Sequence, residues 1–197
     1  MRLDHSFTVP AEPDEAWRLF LDLDRMVPCL PGAVLDRSEG DSFAGRVKVK
    51  VGAVQMSYQG AGTVNRDETT RTVTLDLEGR ESRGSGTASA TVIAVLAADP
   101  AGTLVRVRTE LDLTGRPAQF GRGILTEVSD RIVRQFTARL ADALEAPEAP
   151  VRYPLAPAEP EAVDLGAAAL PVLLKKAAVP AAAIVAVAVL VRLLRRR

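Results

Sequence analysis

The chain has 197 residues, of which 47% are hydrophobic and 4% aromatic, and its 25 basic side chains balance its 25 acidic ones. This length suits one domain with an appendage and is enough to bury a core. The neutral total hides an asymmetry, because residues 1–146 carry 18 basic and 21 acidic side chains, and residues 147–197 carry 7 and 4. A slightly acidic body argues against a nucleic-acid partner, and the basic end predicts an interaction at the C-terminus.

Cysteine and histidine are too scarce for most metal chemistry. The sequence has one cysteine, Cys29, and one histidine, His5, which excludes an intrachain disulfide, a Cys/His zinc site and an iron–sulfur cluster. We interpret Cys29 as a small buried hydrophobe and His5 as a hydrogen-bonded core residue, with a redox role and ligand contact as the respective alternatives. Residues 1–10 contain no apolar run, so we predict no secretory signal and a cytosolic body.

Composition divides the chain into three zones. Residues 1–145 are predicted to form one globular α+β domain. Residues 146–164 form a linker with five prolines among alanine and glutamate, a composition that favours extended polyproline II. Residues 165–197 form an apolar tail that ends in an arginine cluster.

The elements of the domain follow from hydrophobic periodicity. In residues 2–9 apolar and polar side chains alternate, which predicts a half-buried strand. Residues 13–23 show a helical apolar stripe after an acidic first turn, and residues 24–29 form at most a short helical turn before Leu30, Pro31 and Gly32. The next six predicted strands are residues 33–38, 42–51, 53–66, 72–81, 85–96 and 103–114.

Short turns join these strands, so the predicted sheet is antiparallel. Residues 119–144 then carry a long amphipathic helix. The helix needs a sheet to cover its stripe, and one face of the sheet needs the helix. The sequence therefore predicts an α+β fold in which a curved antiparallel sheet of about seven strands grips one long C-terminal helix.

Many small residues fall on the predicted inner face of the sheet. In residues 85–96 the alternation is ambiguous, and the even positions, which include Gly86, Ala88 and Ala90, suit the inside better than the polar odd positions. Two explanations are possible. The glycines permit strong coiling of the sheet or a closer approach of the helix. Alternatively, the small residues leave an apolar ligand cavity. The candidate lining residues are Phe43, Val49, Met56, Tyr58, Gly60, Gly62, Gly86, Ala88, Ala90, Thr109, Leu111, Phe120, Ile124 and Val128.

Other residues receive a structural interpretation. Gly84 is assigned to the same inner face, Glu78 and Glu81 to the solvated surface, and Trp17 to packing beside the first helix. The glycine-rich segment 115–123 lacks the strand-then-helix context of a phosphate-binding loop. It is either a flexible strand-to-helix turn or a mobile lip, with Leu30, Pro31, Gly32 and Gly121 at the mouth of the cavity.

Five short strings occur in order: CLPGA at 29–33, VKVKVG at 47–52, YQG at 58–60, GSGTA at 84–88 and TGRPAQFG at 114–121. Over residues 1–145 they resemble the CoxG family of carbon monoxide dehydrogenase subunits, which belongs to the START-like (SRPBCC) helix-grip superfamily. The resemblance implies a hydrophobic cavity and no catalytic residues. Members are encoded beside molybdenum hydroxylases, carry a membrane-associated C-terminal extension, and are implicated in presenting a lipophilic quinone to the dehydrogenase.

The tail is predicted to anchor the chain to a membrane. Residues 177–191 are uncharged and, as a helix, would span about 22 Å against about 30 Å of hydrocarbon. A full span would also carry the arginines to the far side, against the positive-inside tendency. We favour a shallow anchor, ahead of a short span and of a helix docked on a partner. The anchor residues are Ile184, Val187, Leu190, Arg192, Arg195, Arg196 and Arg197.

The sequence and the resemblance together predict a membrane-tethered carrier at the cytoplasmic face of the cell membrane. It would hold a menaquinone-like quinone or another isoprenoid lipid, without a covalent cofactor or metal, and deliver it to a molybdenum hydroxylase complex. One alternative is an assembly or recruitment factor for that enzyme without lipid cargo. The other is a polyketide cyclase or dehydratase, which needs polar groups inside the cup, where the inner positions offer only His5, Tyr58 and Thr109.

Overall fold

The structure, a computed structural model, describes residues 1–145 and the two residues 163–164. The strands are β1 (Arg2–Val9), β2 (Ala33–Glu39), β3 (Ser42–Val51), β4 (Val54–Asp67), β5 (Thr72–Glu81), β6 (Thr87–Asp99), β7 (Gly102–Leu113) and β8 (Val163–Asp164). The helices are α1 (Pro13–Leu21), α2 (Leu23–Met26) and α3 (Gly121–Glu145), with 3-10 turns at Val27–Cys29 and Arg116–Phe120. The rest of the predicted linker and the whole tail lie outside the described residues.

Seven strands form one antiparallel sheet in the order β1-β7-β6-β5-β4-β3-β2. The sheet curves around the 25-residue helix α3. This confirms the predicted helix-grip architecture. The strand β8, which the sequence assigned to the linker, pairs in parallel with β3, so that Val49 faces Val163 and Lys50 faces Asp164.

The first helical region is divided where the sequence predicted one helix over 13–23. α1 ends at Leu21, and Asp22 begins a second helix because its carboxylate accepts hydrogen bonds from the backbone N–H groups of Asp24 and Arg25 at 3.0 and 3.1 Å. An aspartate in extended backbone geometry satisfies the free N–H groups at a helix start. The cap at Asp22 therefore divides a segment whose hydrophobic periodicity is continuous over residues 13–23.

Two other boundaries differ from the prediction. β6 starts at Thr87 instead of 85, because the backbone N–H of Glu81 bonds to the carbonyl of Gly86 and closes a loop between β5 and β6. Gly84 is exposed in this loop, so its assignment to the inner face was wrong. α3 begins at Gly121 rather than 119, because the preceding residues Arg116–Phe120 form a 3-10 turn.

The strand register decides which residues of β6 lie on the inner face of the sheet. Gly60 pairs with Gly79, Gly79 with Ala88, and Ala88 with Leu113, across β4, β5, β6 and β7. Directly paired residues share a face of the sheet. The even positions of β6 therefore lie on the same face as Gly60, as the small side chains predicted.

The core lies at one end of this inner face. Phe136 and Leu140 of α3 pack there, and Phe136 meets Phe7 edge-on with ring centroids 5.9 Å apart. Trp17 is buried in the same cluster, as predicted. The residues that line this end and are buried are Val9, Ala16, Leu19, Phe20, Val64, Val73, Ala94, Leu96 and Val105.

Polar contacts fix α3 against the rest of the domain. The Nε2 atom of His5 lies 3.1 Å from Oδ1 of Asp130, and Arg25 donates a hydrogen bond to the carbonyl of Ala143 at 3.1 Å. Cys29 is buried beneath the helix, and burial raises the pKa of its thiol, opposed by the charges of Arg139 and Arg25. A buried, protonated thiol is a poor nucleophile, which agrees with the structural interpretation of Cys29. The contact of His5 with Asp130 agrees with its interpretation as a hydrogen-bonded residue.

We expect the domain to fold without its linker and tail. A chain ending at Glu145 retains all seven antiparallel strands and α3 and, of the elements that the structure describes, loses only the two-residue strand β8. It should unfold in one cooperative thermal transition, followed by circular dichroism. A chain ending at Asp164 serves as the control and should show a similar midpoint, whereas a broad, non-cooperative melt of the shorter chain would contradict this domain boundary.

Candidate functional site

The inner face of the sheet is closed at one end and partly open at the other. Val73 and Val105 are 3% and 0% exposed beside the core, but Leu77, Ala90 and Leu111, farther along the same face, are only partly buried. Ile124, near the start of α3, is 42% exposed. The N-terminal part of α3 therefore leaves an apolar wall partly uncovered, and we call this half of the inner face the cup.

The predicted lining residues occupy this wall to different degrees. Met56, Tyr58 and Gly86 are buried, and Ile124 is exposed on the rim. The remaining candidates are partly buried: Phe43, Val49, Gly60, Gly62, Ala88, Ala90, Thr109, Leu111, Phe120 and Val128. Strand pairing brings Val49 opposite Met56, Phe43 opposite Gly62 and Ala90 opposite Leu111, so the strand candidates form a continuous surface.

The inner glycines are needed by the sheet itself. A Cβ atom built on Gly60 would lie 2.1 Å from the carbonyl oxygen of Glu78 on the neighbouring strand. A Cβ on Gly62 would lie 2.7 Å from the carbonyl oxygen of Asp76 and 2.8 Å from the ring of Phe43. At these two positions the absence of a side chain permits close approach of backbone and ring, as the coiling interpretation expected.

This geometry predicts opposite effects for two paired glycines. We expect Gly60→Ala to destabilise the protein by about 1–3 kcal/mol, because backbone atoms must move. Gly79→Ala is the matched control, since its Cβ would make only ordinary contacts at 3.5 Å or more and the substitution restricts the unfolded chain. Urea denaturation measures both free energies of unfolding, and equal values would contradict the role assigned to Gly60.

Three of the predicted mouth residues, 30–32, connect the 3-10 turn Val27–Cys29 to β2, and the fourth, Gly121, begins α3. Pro31 is buried, Leu30 packs against the core, and the carbonyl of Gly32 accepts the N–H of Lys48 at 2.9 Å. The segment 115–121, which we call the lip, contains a 3-10 turn between two glycines of positive φ, Gly115 at 78° and Gly121 at 73°.

The sequence analysis missed a buried polar cluster beneath the lip. The side chain of Glu81, which was assigned to the solvated surface, is only 3% exposed, and its Oε1 accepts a hydrogen bond from Nη2 of Arg116 at 2.7 Å. Glu81 pairs with Tyr58 across β4 and β5. The missed signal was the alternation, because Glu81 has the same parity as the inward residues Val73, Leu75 and Leu77.

Tyr58 is the second member of this cluster. It is 9% exposed, and its hydroxyl is buried without a hydrogen-bond partner among the described residues. Burial raises the pKa of Tyr58, the charge of Glu81 raises it further, and Arg116 opposes both. The hydroxyl therefore keeps its proton at neutral pH and is an available donor.

Two clefts lie on the other, outer face of the sheet. They have volumes of about 580 and 570 Å³ and are lined mostly by outward side chains, including Glu78 and Ser89 in both. The larger one also carries Asp76, Glu110 and Asp112. Residues of the inner face, among them Leu77 and Ala90, also line this cleft, so its acidic surface adjoins the predicted apolar site.

Two kinds of feature are absent from the described part of the chain. Within residues 1–145 and 163–164, no group of three or more His, Cys, Asp or Glu side chains is arranged to hold a metal ion. In the same residues, no helix has the length and hydropathy needed to cross a membrane. The predicted anchor residues Ile184, Val187, Leu190, Arg192, Arg195, Arg196 and Arg197 lie outside the described residues.

Solved structures establish the class of fold. A conserved protein from Geobacillus kaustophilus superposes with a TM-score of 0.66 at 17% identity, covering 74% of this chain and 95% of that one. A protein from Thermus thermophilus gives 0.55 at 16%, covering 73% and 99%. A START superfamily protein from Mycobacterium smegmatis gives 0.54 at 11%, covering 73% and 97%. The domain is thus a START-like helix-grip fold.

The family follows from the sequence. The model of the CoxG family, a family of carbon monoxide dehydrogenase subunits, matches residues 6–145, and the chain belongs to that family. No curated protein matches the chain. Family and fold together support a role as a carrier of a hydrophobic ligand.

Proposed function

We propose that this protein is a membrane-tethered carrier that holds a lipophilic quinone in the cup and delivers it to a molybdenum hydroxylase of the carbon monoxide dehydrogenase type. The observation that carries the proposal is the partly uncovered apolar wall beside a closed core, in which Leu77, Ala90 and Leu111 remain partly exposed. Membership of the CoxG family supports the choice of partner enzyme. No covalent cofactor is part of the proposal, because the quinone is the cargo.

A lined cup meets the main physical requirement of such a carrier. Each CH₂ group of an isoprenoid chain costs about 0.8 kcal/mol to expose to water. Apolar side chains from the five strands β3 to β7 and from α3 line the cup, and they would shield such a chain during transfer. The Tyr58–Glu81 cluster adds a few polar groups at one end, which is the usual composition of a small-molecule site.

The position of β8 supports loading from a membrane. Val163 and Asp164 pair with Val49 and Lys50, the last residues of β3 before the turn into β4. Asp164, which immediately precedes the predicted tail, therefore lies at the same end of the sheet as the Tyr58–Glu81 cluster. In our proposal the tail holds this end of the cup against the cytoplasmic face of the membrane.

Mass spectrometry of an organic extract tests the cargo. The full chain, purified from its native host without detergent, should release a quinone in an amount comparable to the protein. A matched preparation of an unrelated protein of the same host controls for carry-over. An extract without a quinone or other isoprenoid lipid would favour the alternative, an assembly or recruitment factor without lipid cargo.

One observation favours testing the polyketide cyclase alternative as well. The sequence placed only His5, Tyr58 and Thr109 inside the cup, but the structure adds the buried carboxylate of Glu81, which is paired with the exposed side chain of Arg116. A polyketide cyclase needs such groups to move protons. Incubation with a linear aromatic polyketide analogue, followed by chromatography, should leave the substrate unchanged if the carrier function is correct, and accelerated cyclisation that Glu81→Gln abolishes would favour the enzyme.

A further inference from the structure

The mouth end of the cup contains a buried hydrogen-bond donor that the domain itself does not use. Tyr58 is more than nine-tenths buried, and its hydroxyl has no partner among the described residues. Buried polar groups in folded proteins are almost always paired, and an unpaired one carries a desolvation cost. Because the hydroxyl lies on the inward face of β4, the missing partner belongs inside the cup.

The surroundings of this hydroxyl define the kind of partner it fits. A Cβ built on Gly86 would lie 3.0 Å from the carbonyl oxygen of Thr114, 3.1 Å from Oε2 of Glu81 and 3.4 Å from the hydroxyl of Tyr58, so these three polar atoms all lie beside Gly86. Glu81 has a single guanidinium partner, Arg116, in the ion pairs of the described residues. A ligand carboxylate there would face a second buried negative charge, which disfavours fatty acids.

We infer that Tyr58, with Glu81 and Arg116 beside it, forms a head-group site for a neutral lipid that carries a carbonyl oxygen. The Tyr58 hydroxyl donates to this carbonyl, and the hydrocarbon part of the lipid lies along the apolar wall towards Ala88 and Leu111. The Arg116–Glu81 pair holds the lip over the head group. This inference rests on the proposed function and narrows its ligand to lipids with an uncharged acceptor at one end.

Matched ligands separate head-group recognition from general apolar binding. One probe is a 1,4-naphthoquinone with a two-isoprene side chain, and the other is the naphthalene that carries the same chain and no oxygen. Displacement of a fluorescent apolar dye from the full-length protein measures both affinities. We expect Tyr58→Phe to weaken binding of the quinone about five- to tenfold and to leave binding of the naphthalene unchanged.

Thr63→Val is the matched control, because it also removes one hydroxyl from β4, at an exposed position of the outer face. It should change neither affinity. Thermal unfolding of the empty protein provides a second readout: Tyr58→Phe should not lower the midpoint, because the hydroxyl it removes is unpaired.

The possible outcomes distinguish failure of the head-group site from failure of the proposed carrier function. If the wild type binds both probes and Tyr58→Phe weakens neither, or weakens both equally, the head-group site is overturned while the carrier function stands. A loss of stability in empty Tyr58→Phe would likewise show that the hydroxyl has a partner in the protein and overturn the site. If the wild type binds neither probe, the proposed function and the head-group site both fail.

Discussion

Val187→Asp is expected to detach the full-length protein from anionic vesicles even at low salt. The substitution places a charge within the uncharged run 177–191, where an aspartate costs about 2.5–3.5 kcal/mol at the centre of an inserted helix. The apolar contribution to membrane binding is then largely lost. Cosedimentation with phosphatidylglycerol vesicles measures the effect, and the bound fraction should fall to that of the chain ending at Glu145.

Two control variants separate the apolar and the basic contributions of the tail. Val187→Leu keeps the run apolar and should cosediment like the wild type. Replacement of Arg192, Arg195, Arg196 and Arg197 by glutamine should weaken binding and remove most of its salt dependence, because each charge contributes about 1 kcal/mol at an anionic surface and is screened by salt. Undiminished cosedimentation of Val187→Asp would contradict insertion and favour docking of the tail on a partner protein.

Ala88→Leu is expected to fill the cup and abolish most binding of an apolar ligand. Ala88 lies on the inner face between Gly79 and Leu113, in the half of the sheet that α3 leaves partly uncovered. Leucine adds three carbon atoms to space that the cargo would occupy, so the loss should be at least tenfold while the domain stays folded. Displacement of the fluorescent dye by the naphthoquinone measures the affinity, and thermal unfolding checks the fold.

Ser89→Leu is the matched control for this substitution. Ser89 is the next residue of β6, is exposed, and lies on the outer face, where it lines both outer clefts. The same added bulk there should leave ligand affinity unchanged. If Ala88→Leu instead left binding intact and lowered stability by about 1–3 kcal/mol, Ala88 would be packed against the protein and not against cargo.

Local periodicity predicted most of the fold because it determined each element separately. Alternation in residues 2–9 and 72–81 gave strands with the observed bounds, and the long stripe after residue 119 gave the helix that the sheet grips. Short turns then allowed only antiparallel neighbours. The helix predicted over residues 13–23 is instead divided at Asp22. The cap there is a side-chain contact, and the hydrophobic periodicity from which the helix was predicted does not reveal it.

The candidate site was less accessible from the sequence, because burial depends on residues that are distant along the chain. Glu81 was taken as a surface charge, as glutamates usually are, but the lip brings Arg116 to it from 35 residues away. Ile124 has the spacing of a core residue, yet it is 42% exposed because the cup beside it is partly open. The sequence left two explanations for Gly60 and Gly62, coiling of the sheet or a ligand cavity. The structure shows that a Cβ atom at either position would collide with a backbone carbonyl oxygen of β5.

The sequence by itself determined the order of the elements, the inner set of most strands and the scarcity of cysteine and histidine, because these depend on composition and on spacing along the chain. Only the tertiary structure decided that Tyr58 and Glu81 share a buried polar end, that α3 closes one half of the inner face and leaves the other partly open, and that Asp164 lies at the end of β3. These features are made by contacts between residues on different elements. Their energies depend on which groups exclude water from one another, and the linear spacing of side chains does not contain that information.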